Sequence, residues 1–289
     1  MPILIAKLTF VIARLTESAE AILIRFFAPL AILTFIMGIF VNVETLYGNE
    51  NPYQNMSFIH EGEFIMGSGP ETGRQGYDYG VDEEPRHRVY LKAFYIDRYE
   101  VTIGEYKEYL SATGGEWPGD QNFPGEFPPE DYFNPPERDK YPVNYIGWVE
   151  ADAYCRWRGK RLPTETEWEK AARGVDGRIW PSGGRFDPMD ANVRETGNPW
   201  PTPVGSYPKD KSPFGLYDVV GNLSEWTSSH YLPYPGNKYD DGRYSTKTYV
   251  LKGGAFLLAA KHGRPASRSL AYPTYAHRMY GIRCAKDAP

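Results

Sequence analysis

Cysteine is scarce in this chain, and this scarcity limits the metal chemistry that the sequence can support. Of 289 residues only two are cysteines, Cys155 and Cys284, and five are histidines. The cysteines do not form a C-x-x-C pair, and no histidine pair accompanies them at a zinc-ligand spacing. The sequence therefore contains no zinc motif, and we interpret the histidines as surface or hydrogen-bonded core residues.

Runs of basic residues are also absent. The formal net charge is −5, and no stretch of five residues is uniformly basic, so the sequence predicts no nucleic-acid partner. Glycine, proline and tyrosine are abundant instead, with 29, 25 and 23 residues. Such a composition is typical of a loop-rich protein with short helices and strands, arranged in one large or two small domains.

Charged side chains are missing from residues 26–43, which are eighteen consecutive uncharged residues. A run of this length is sufficient to cross the hydrocarbon layer of a membrane. We predict a transmembrane helix over residues 19–43. A cleaved signal peptide is the alternative, although its apolar core would be shorter and no A-x-A cleavage motif follows the run.

The distribution of charge predicts how the segments on either side of this span are arranged relative to the membrane. Residues 1–18 carry Lys7 and Arg14 two helical turns apart, which predicts an amphipathic helix in the membrane interface. Residues 44–57 form a linker, and residues 58–289 form the folded domain. Because basic residues precede the span and acidic residues follow it, the N-terminus is predicted to be cytoplasmic and the domain extracytoplasmic, in a periplasm if the cell has one.

Regular elements are recognisable in the domain. Residues 58–68 and 87–102 alternate apolar and polar side chains, as strands do. Capping boxes open two helices: Thr102 with Glu105, before a helix that ends at Gly114, and Thr164 with Glu167. Between them, residues 148–159 have the apolar spacing of a helix that turns Cys155 toward the core. Residues 116–141, rich in proline and aromatic side chains, predict a long ordered loop.

Six segments in order carry a family resemblance: GEFIMGS, DEEPRHRVYLKAFYIDRYEVT, YPVNYIGWVEADAYCRWRGKRLPTETEWEKAARG, GLYDVVGNLSEWT, KGGAF and GIRCAKD. This series resembles the formylglycine-generating enzyme (sulfatase-modifying factor) family over about residues 58–287. The resemblance implies a compact α+β domain with little regular secondary structure, related to the C-type lectin fold. Because members of this family differ in chemistry, the fold does not establish an activity.

The copper site of the family has no counterpart here. The family oxidase binds copper through two cysteines five residues apart, in the segment that reads KGGAFLLAAKHGRPASRSL in this chain. One alignment places Gly263 and Arg268 at those positions, and another places Ala260 and Pro265 there. Neither pair offers the thiolates that Cu(I) requires, so we predict no copper and no formylglycine generation.

Four basic residues follow the apolar part of this segment, at Lys261, His262, Arg264 and Arg268. They form either a basic pocket for a ligand or a solvated basic turn that follows a packed apolar strand over residues 256–260. The histidine-rich ligand segment of the iron-dependent family members has no match here.

The resemblance implies structural calcium in two places. The loop GLYDVVGNLSEW, residues 215–226, corresponds to a calcium site whose ligands would be Asp218, Val219, Gly221, Leu223 and Glu225. A tight irregular loop suits calcium because it can present several carbonyl oxygens to one ion. A second, weaker site would use Asn192, Val193, Asn198 and Trp200. The alternative for the first loop is a metal-free turn.

The resemblance also implies a disulfide between Cys155 and Cys284, because the family pairs cysteines at these two positions. An extracytoplasmic location would permit the bond to form.

Three functions are consistent with these features. The first is a non-catalytic, membrane-anchored extracytoplasmic subunit that binds or scaffolds a larger membrane protein complex. The second is a periplasmic enzyme of different chemistry, such as peptide or siderophore maturation, and the third is a receptor for a small molecule or glycan. The lost cysteines, the predicted anchor and the aromatic segments favour the first function.

Overall fold

The computed structural model of the protein describes residues 53–70, 72, 80–117, 131–240 and 242–289. The predicted interfacial segment and transmembrane helix lie outside these residues, as do most of the linker and residues 118–130 of the proline-rich loop. No helix within the described ranges is long and apolar enough to cross a membrane.

A compact unit extends from Asn55 to Pro289, slightly beyond the predicted boundary at residue 58. Its described residues form three helices and nine strands, in the order β1 (Met56–Ile59), β2 (Gly62–Met66), β3 (His87–Leu91), β4 (Phe94–Asp97), α1 (Ile103–Thr113), α2 (Trp148–Trp157), α3 (Glu165–Arg173), β5 (Ser224–Tyr231), β6 (Ser245–Lys252), β7 (Ser269–Ala271), β8 (Tyr280–Gly281) and β9 (Ala285–Asp287). The strands make three sheets, β1-β4-β9, β2-β3 and β7-β6-β5-β8. Short elements joined by long loops give the α+β architecture that the sequence predicts.

Two of the three helices, α1 and α3, begin where their capping boxes predict. In α1 the Thr102 hydroxyl accepts the Glu105 N–H, and the Glu105 carboxylate accepts the Thr102 N–H, so two unpaired helix donors are satisfied. The helix ends at Gly114, whose left-handed conformation (φ 69°) favours glycine. Thr164 and Glu167 open α3 in the same way.

The strand prediction was only partly right, because each alternating segment divides between two sheets. Residues 58–68 contribute to β1 and β2, and residues 87–102 contribute to β3 and β4. β1 pairs with β4, whereas β2 pairs with β3. The chain changes direction at Gly62, where φ is 128°, a conformation that side chains with a Cβ rarely adopt. Alternation indicates a strand but does not identify its partner.

The core is centred on α2 and the four-stranded sheet. Cys155 lies on the buried face of α2, as predicted, and packs in one cluster with Tyr106, Trp226 and Cys284. A second cluster surrounds Trp168 of α3. The two clusters fix two loops, one between α3 and β5 and the other after β6. These two loops carry the candidate site.

Candidate functional site

A cavity of about 520 Å³ lies beside the four-stranded sheet, and its lining includes the first residues of β5, β7 and β8. Its lining includes all four basic residues that the sequence singles out, namely Lys261, His262, Arg264 and Arg268. The structure therefore brings these residues together around one concave site. Its volume is in the range of small-ligand sites in proteins.

Two of the four basic residues are buried ion-pair partners. Arg264 donates to both carboxylate oxygens of Glu83, at 2.9 and 2.8 Å. Arg268 donates to both oxygens of Glu165, at 2.6 and 3.0 Å, and stacks 4.2 Å from the ring centre of Tyr234. The interpretation of a solvated basic turn is thus wrong for both arginines, because carboxylates from distant segments cover them.

The apolar segment before these arginines is not a strand. β6 ends at Lys252, and the chain then forms irregular turns and a short 3₁₀ helix, Ala260–Gly263. Gly254 donates its N–H to the Val220 carbonyl, and a Cβ on Gly263 would collide with that same oxygen. The wall of the cavity therefore rests directly on the loop of residues 215–226, and a larger residue at 263 would displace it.

That loop is held by a carboxylate that sequence reasoning missed. Asp210 accepts the backbone N–H groups of three successive loop residues, Val219, Val220 and Gly221, at distances of 2.9–3.2 Å. Burial and the neighbouring Asp218 carboxylate raise the pKa of Asp210 to about 8. The segment KDKS around Asp210 resembles an ordinary surface turn, so no local signal identified this residue.

Glu225, expected as a calcium ligand, makes a fully buried ion pair in the structure. Arg283 donates to both of its carboxylate oxygens, at 2.6 and 2.8 Å, and the Trp168 indole N–H donates to one of them at 2.5 Å. The bidentate geometry and complete burial make this a structural interaction between β5 and the C-terminal segment.

Negative charge is in excess around the loop. Burial and the Asp218 carboxylate raise the pKa of Glu100 well above its usual range, and burial raises that of Asp218 to about 6. Arg283 is the cation that interacts with both carboxyl groups and with Glu225. A bound cation would relieve this repulsion.

The oxygen atoms of the loop also fit a hard cation. Within the described part of the chain, the backbone hydrogen bonds of the loops do not use the carbonyl oxygens of Val219 or Gly221. Among the same residues, no three His, Cys, Asp or Glu side chains cluster closely enough to hold a metal by themselves. An ion here would depend on these carbonyl oxygens together with Asp218, which is a donor set that suits calcium.

The second expected calcium site is closed by hydrogen bonds in the structure. The structure brings its residues together, but each relevant oxygen already accepts a hydrogen bond from a neighbour. Asn192 Oδ1 accepts from Asn198, the Trp200 carbonyl accepts from Asn192, Asn198 Oδ1 accepts from Trp200, and the Val193 carbonyl accepts from Thr196. The loop is satisfied by its own hydrogen bonds, so we do not propose calcium there.

The disulfide prediction is confirmed. Cys155 of α2 is bonded to Cys284, which precedes β9, with their Cα atoms 5.6 Å apart. Since the sequence contains only two cysteines, the chain has no free thiol in this state.

The fold and these sites define a class of protein: a loop-rich α+β domain with a cleft built on irregular turns and a disulfide across its core. The family model of the sulfatase-modifying factor enzyme 1-like domain matches residues 43–288. The chain belongs to this family.

The similarity of the chain to individual proteins supports this assignment. The chain is 30% identical over 286 residues to the inactive C-alpha-formylglycine-generating enzyme 2 of Mus musculus, covering 81% of this chain and 87% of the relative. It is also 30% identical to the formylglycine-generating enzyme of Bos taurus, covering 83% and 76%. Among solved structures, PvdO from Pseudomonas aeruginosa superimposes with a TM-score of 0.66 at 26% identity, covering 81% of this chain and 94% of that one.

Proposed function

We propose that this protein is a non-catalytic, membrane-anchored extracytoplasmic subunit that binds and scaffolds a larger membrane protein complex. The observation that carries the non-catalytic part of the proposal is the disulfide between Cys155 and Cys284, which uses every cysteine of the chain. A formylglycine-generating site needs thiolates for Cu(I), and none remains to supply them.

The residues at the aligned copper positions support the same conclusion. In one alignment these are Gly263 and Arg268, and the Arg268 guanidinium forms an ion pair with the Glu165 carboxylate. In the other they are Ala260 and Pro265, whose side chains are buried and carry no donor atom. One relative, the mouse protein, is itself named as inactive.

The surface of the domain supports a binding role. Large aromatic side chains remain exposed, among them Tyr90, Trp157, Tyr239 and Tyr272, with exposed fractions of 38–59%. Tyrosine and tryptophan are enriched at interface hot spots. An anchor over residues 19–43 would raise the effective concentration near a membrane-embedded partner to roughly the millimolar range, so modest contacts would suffice for association.

Fractionation of cell membranes tests the proposed anchor and assembly. The full chain is expected to stay with the membrane after a carbonate wash and to migrate with a larger complex on a native gel. A variant lacking residues 1–43, directed outside the cytoplasm by an unrelated signal peptide, should be released by the wash and lose the complex. N-terminal sequencing that begins after residue 43, with the protein in the soluble fraction, would contradict the anchored subunit.

A second candidate function is an enzyme of different chemistry, as in peptide or siderophore maturation. The observation that favours it is the cavity of about 520 Å³, because a concave site of this size that combines apolar and polar side chains is also typical of active sites. The two functions differ in what happens to a bound compound, which an enzyme converts and a binding subunit releases unchanged.

We further propose that calcium binds the loop of residues 215–226. Adding Ca²⁺ to protein treated with a chelator is expected to raise the melting temperature, since a ligand at a hundred times its dissociation constant stabilises a fold by about 2.7 kcal/mol. Asp218→Asn should weaken this response, because the site keeps a carbonyl oxygen but loses a negative charge. The variant keeps an oxygen for the Gly205 N–H, which Asp218 accepts at 2.6 Å.

The matched control is Asp131→Asn, because Asp131 is exposed and lies outside the loop. This variant should respond to calcium as the unmodified protein does. Equal melting temperatures of the unmodified protein in chelator and in calcium would show that the loop is a metal-free turn.

A further inference from the structure

We infer that an exposed aromatic patch at the start of the domain contacts the surface of an anionic phospholipid bilayer, an inference that rests on the proposed membrane anchor. The patch, named the β1 patch, comprises Phe58 of β1, His60 directly after it, Tyr90 of β3 and Tyr95 of β4. None of these residues lines the cavity beside the four-stranded sheet. The β1 patch is therefore a second surface of the domain.

Phe58 lies on the outer face of β1, where a polar side chain is expected. Phe58 and His60 are both exposed, whereas Ile59 between them is fully buried. Because the side chains of a strand alternate between its two faces, Phe58 and His60 share the outer face. Ile59 packs in the core cluster around Trp168, which fixes this orientation. The strand thus holds a large apolar ring in solvent, with an exposed fraction of 39%.

Other aromatic rings extend this apolar surface. The ring centre of Phe58 lies 4.8 Å from that of His60 and 4.9 Å from that of Tyr95, its register partner on β4. Tyr90 is 59% exposed, and its hydroxyl donates to Glu61, the residue after His60, at 3.3 Å. Amphipathic aromatic side chains are enriched where proteins meet the headgroup region of a membrane.

Basic side chains flank the patch at both ends of β4. Lys92 precedes this strand and Arg98 follows it, and both are exposed. Asp97, the acidic residue of the same segment, is paired with Lys160 at 2.6 Å. Aromatic residues bordered by cations match the chemistry of anionic phospholipid headgroups, which attract basic side chains near the membrane surface.

The position of the patch along the chain favours the bilayer as its partner. Met56, the first residue of β1, follows the end of the predicted span at residue 43 by thirteen residues. A chain of this length extends by at most about 45 Å. The anchor would therefore keep the patch at an effective concentration in roughly the millimolar range, so a few aromatic and basic side chains would suffice for contact.

Quenching of a fluorophore by labelled lipid tests the inference on the full chain in nanodiscs. The discs contain phosphatidylcholine and phosphatidylglycerol, and some headgroups carry a nitroxide. His60→Cys supplies the labelling site, because both native cysteines are bonded to each other. We expect the nitroxide to lower the fluorescence at position 60 by about twofold, since an aromatic patch in the headgroup region lies close to the quencher.

A second labelling site serves as the control for proximity to the disc. Lys247→Cys places the same fluorophore at an exposed position of β6, a strand that pairs with neither β1 nor β4. Quenching at position 247 should be much weaker than at position 60.

Removing the central ring should release the patch from lipid. Phe58→Ser should reduce the quenching at position 60 to the level at position 247. Tyr272→Ser removes another exposed aromatic ring, 48% exposed and outside the patch, and should leave the quenching at position 60 unchanged. The melting temperature of each variant verifies that it is folded.

Charge reversal tests the lipid chemistry without altering the rings. Lys92→Glu combined with Arg98→Glu should reduce the quenching at position 60 in discs that contain phosphatidylglycerol, and less so in phosphatidylcholine alone. Lys238→Glu combined with Lys247→Glu makes the same change of charge at two exposed lysines outside the patch and should have no effect.

Three outcomes would overturn the inference alone: no quenching at position 60, equal quenching at positions 60 and 247, or full quenching in both the Phe58→Ser and the double charge-reversal variants. Protein that enters the nanodiscs with any of these results is still anchored, so the proposed subunit survives. Protein that does not enter the nanodiscs contradicts the anchor, and with it the contact of the patch with lipid.

Discussion

Replacing both Cys155 and Cys284 by alanine is expected to lower the free energy of unfolding by about 5 kcal/mol. The bond closes a loop of 129 residues, and the chain-entropy model assigns about this value to a loop of that length. The bond also ties α2 to the C-terminal segment inside the main core cluster, where both cysteines are fully buried. Urea unfolding followed by tryptophan fluorescence measures the change.

Reduction provides the control for this experiment. In dithiothreitol the unmodified protein should unfold at nearly the same urea concentration as the double alanine variant. If reductant leaves the unmodified protein unchanged while mass spectrometry detects two free thiols, the disulfide does not contribute to its stability.

The second large effect is expected at the ion pair of Arg283 and Glu225. Arg283→Met should destabilise the fold by about 3–5 kcal/mol, because a fully buried carboxylate is left without its cation. Arg283 also donates to the backbone carbonyls of Asp97 and Tyr217, at 3.0 and 2.8 Å, so its loss leaves those groups unpaired as well. Chemical denaturation again supplies the measurement.

Two further variants distinguish the effect of losing the ion pair from a general destabilisation caused by replacing an arginine. Arg283→Met combined with Glu225→Gln should be less destabilised than Arg283→Met alone, since the unpaired charge is gone. Arg88→Met breaks the exposed pair with Glu63 and should leave the unfolding midpoint unchanged. A double variant as unstable as the sum of its single changes would contradict a direct coupling of Arg283 with Glu225.

Local features of the fold could be predicted because their causes lie within a few residues. The capping boxes at Thr102 and Thr164 each bond a residue three positions away, so the sequence displays the whole interaction. Sheet partners could not be predicted in the same way. Residues 87–102 read as one alternating segment, yet β3 and β4 pair with different strands, and only tertiary packing selects those partners.

The candidate site likewise combines local features that could be predicted from the sequence with tertiary contacts that could not. Its basic residues were visible in the sequence, but their burial was not, because Arg264 and Arg268 pair with carboxylates 181 and 103 residues away. Asp210 was missed for a similar reason, since its carboxylate accepts hydrogen bonds from three backbone N–H groups, which carry no residue-specific signal. The disulfide was predictable only through the family resemblance.

We propose that this domain binds a partner and does not form formylglycine. The most direct measurement incubates the purified protein with copper, oxygen and a peptide containing Cys-x-Pro-x-Arg, beside the bovine formylglycine-generating enzyme as a positive control. Mass spectrometry of the peptide and metal analysis of the protein are the readouts. We predict an intact peptide cysteine and no stoichiometric copper, whereas formylglycine in the peptide would contradict a non-catalytic role.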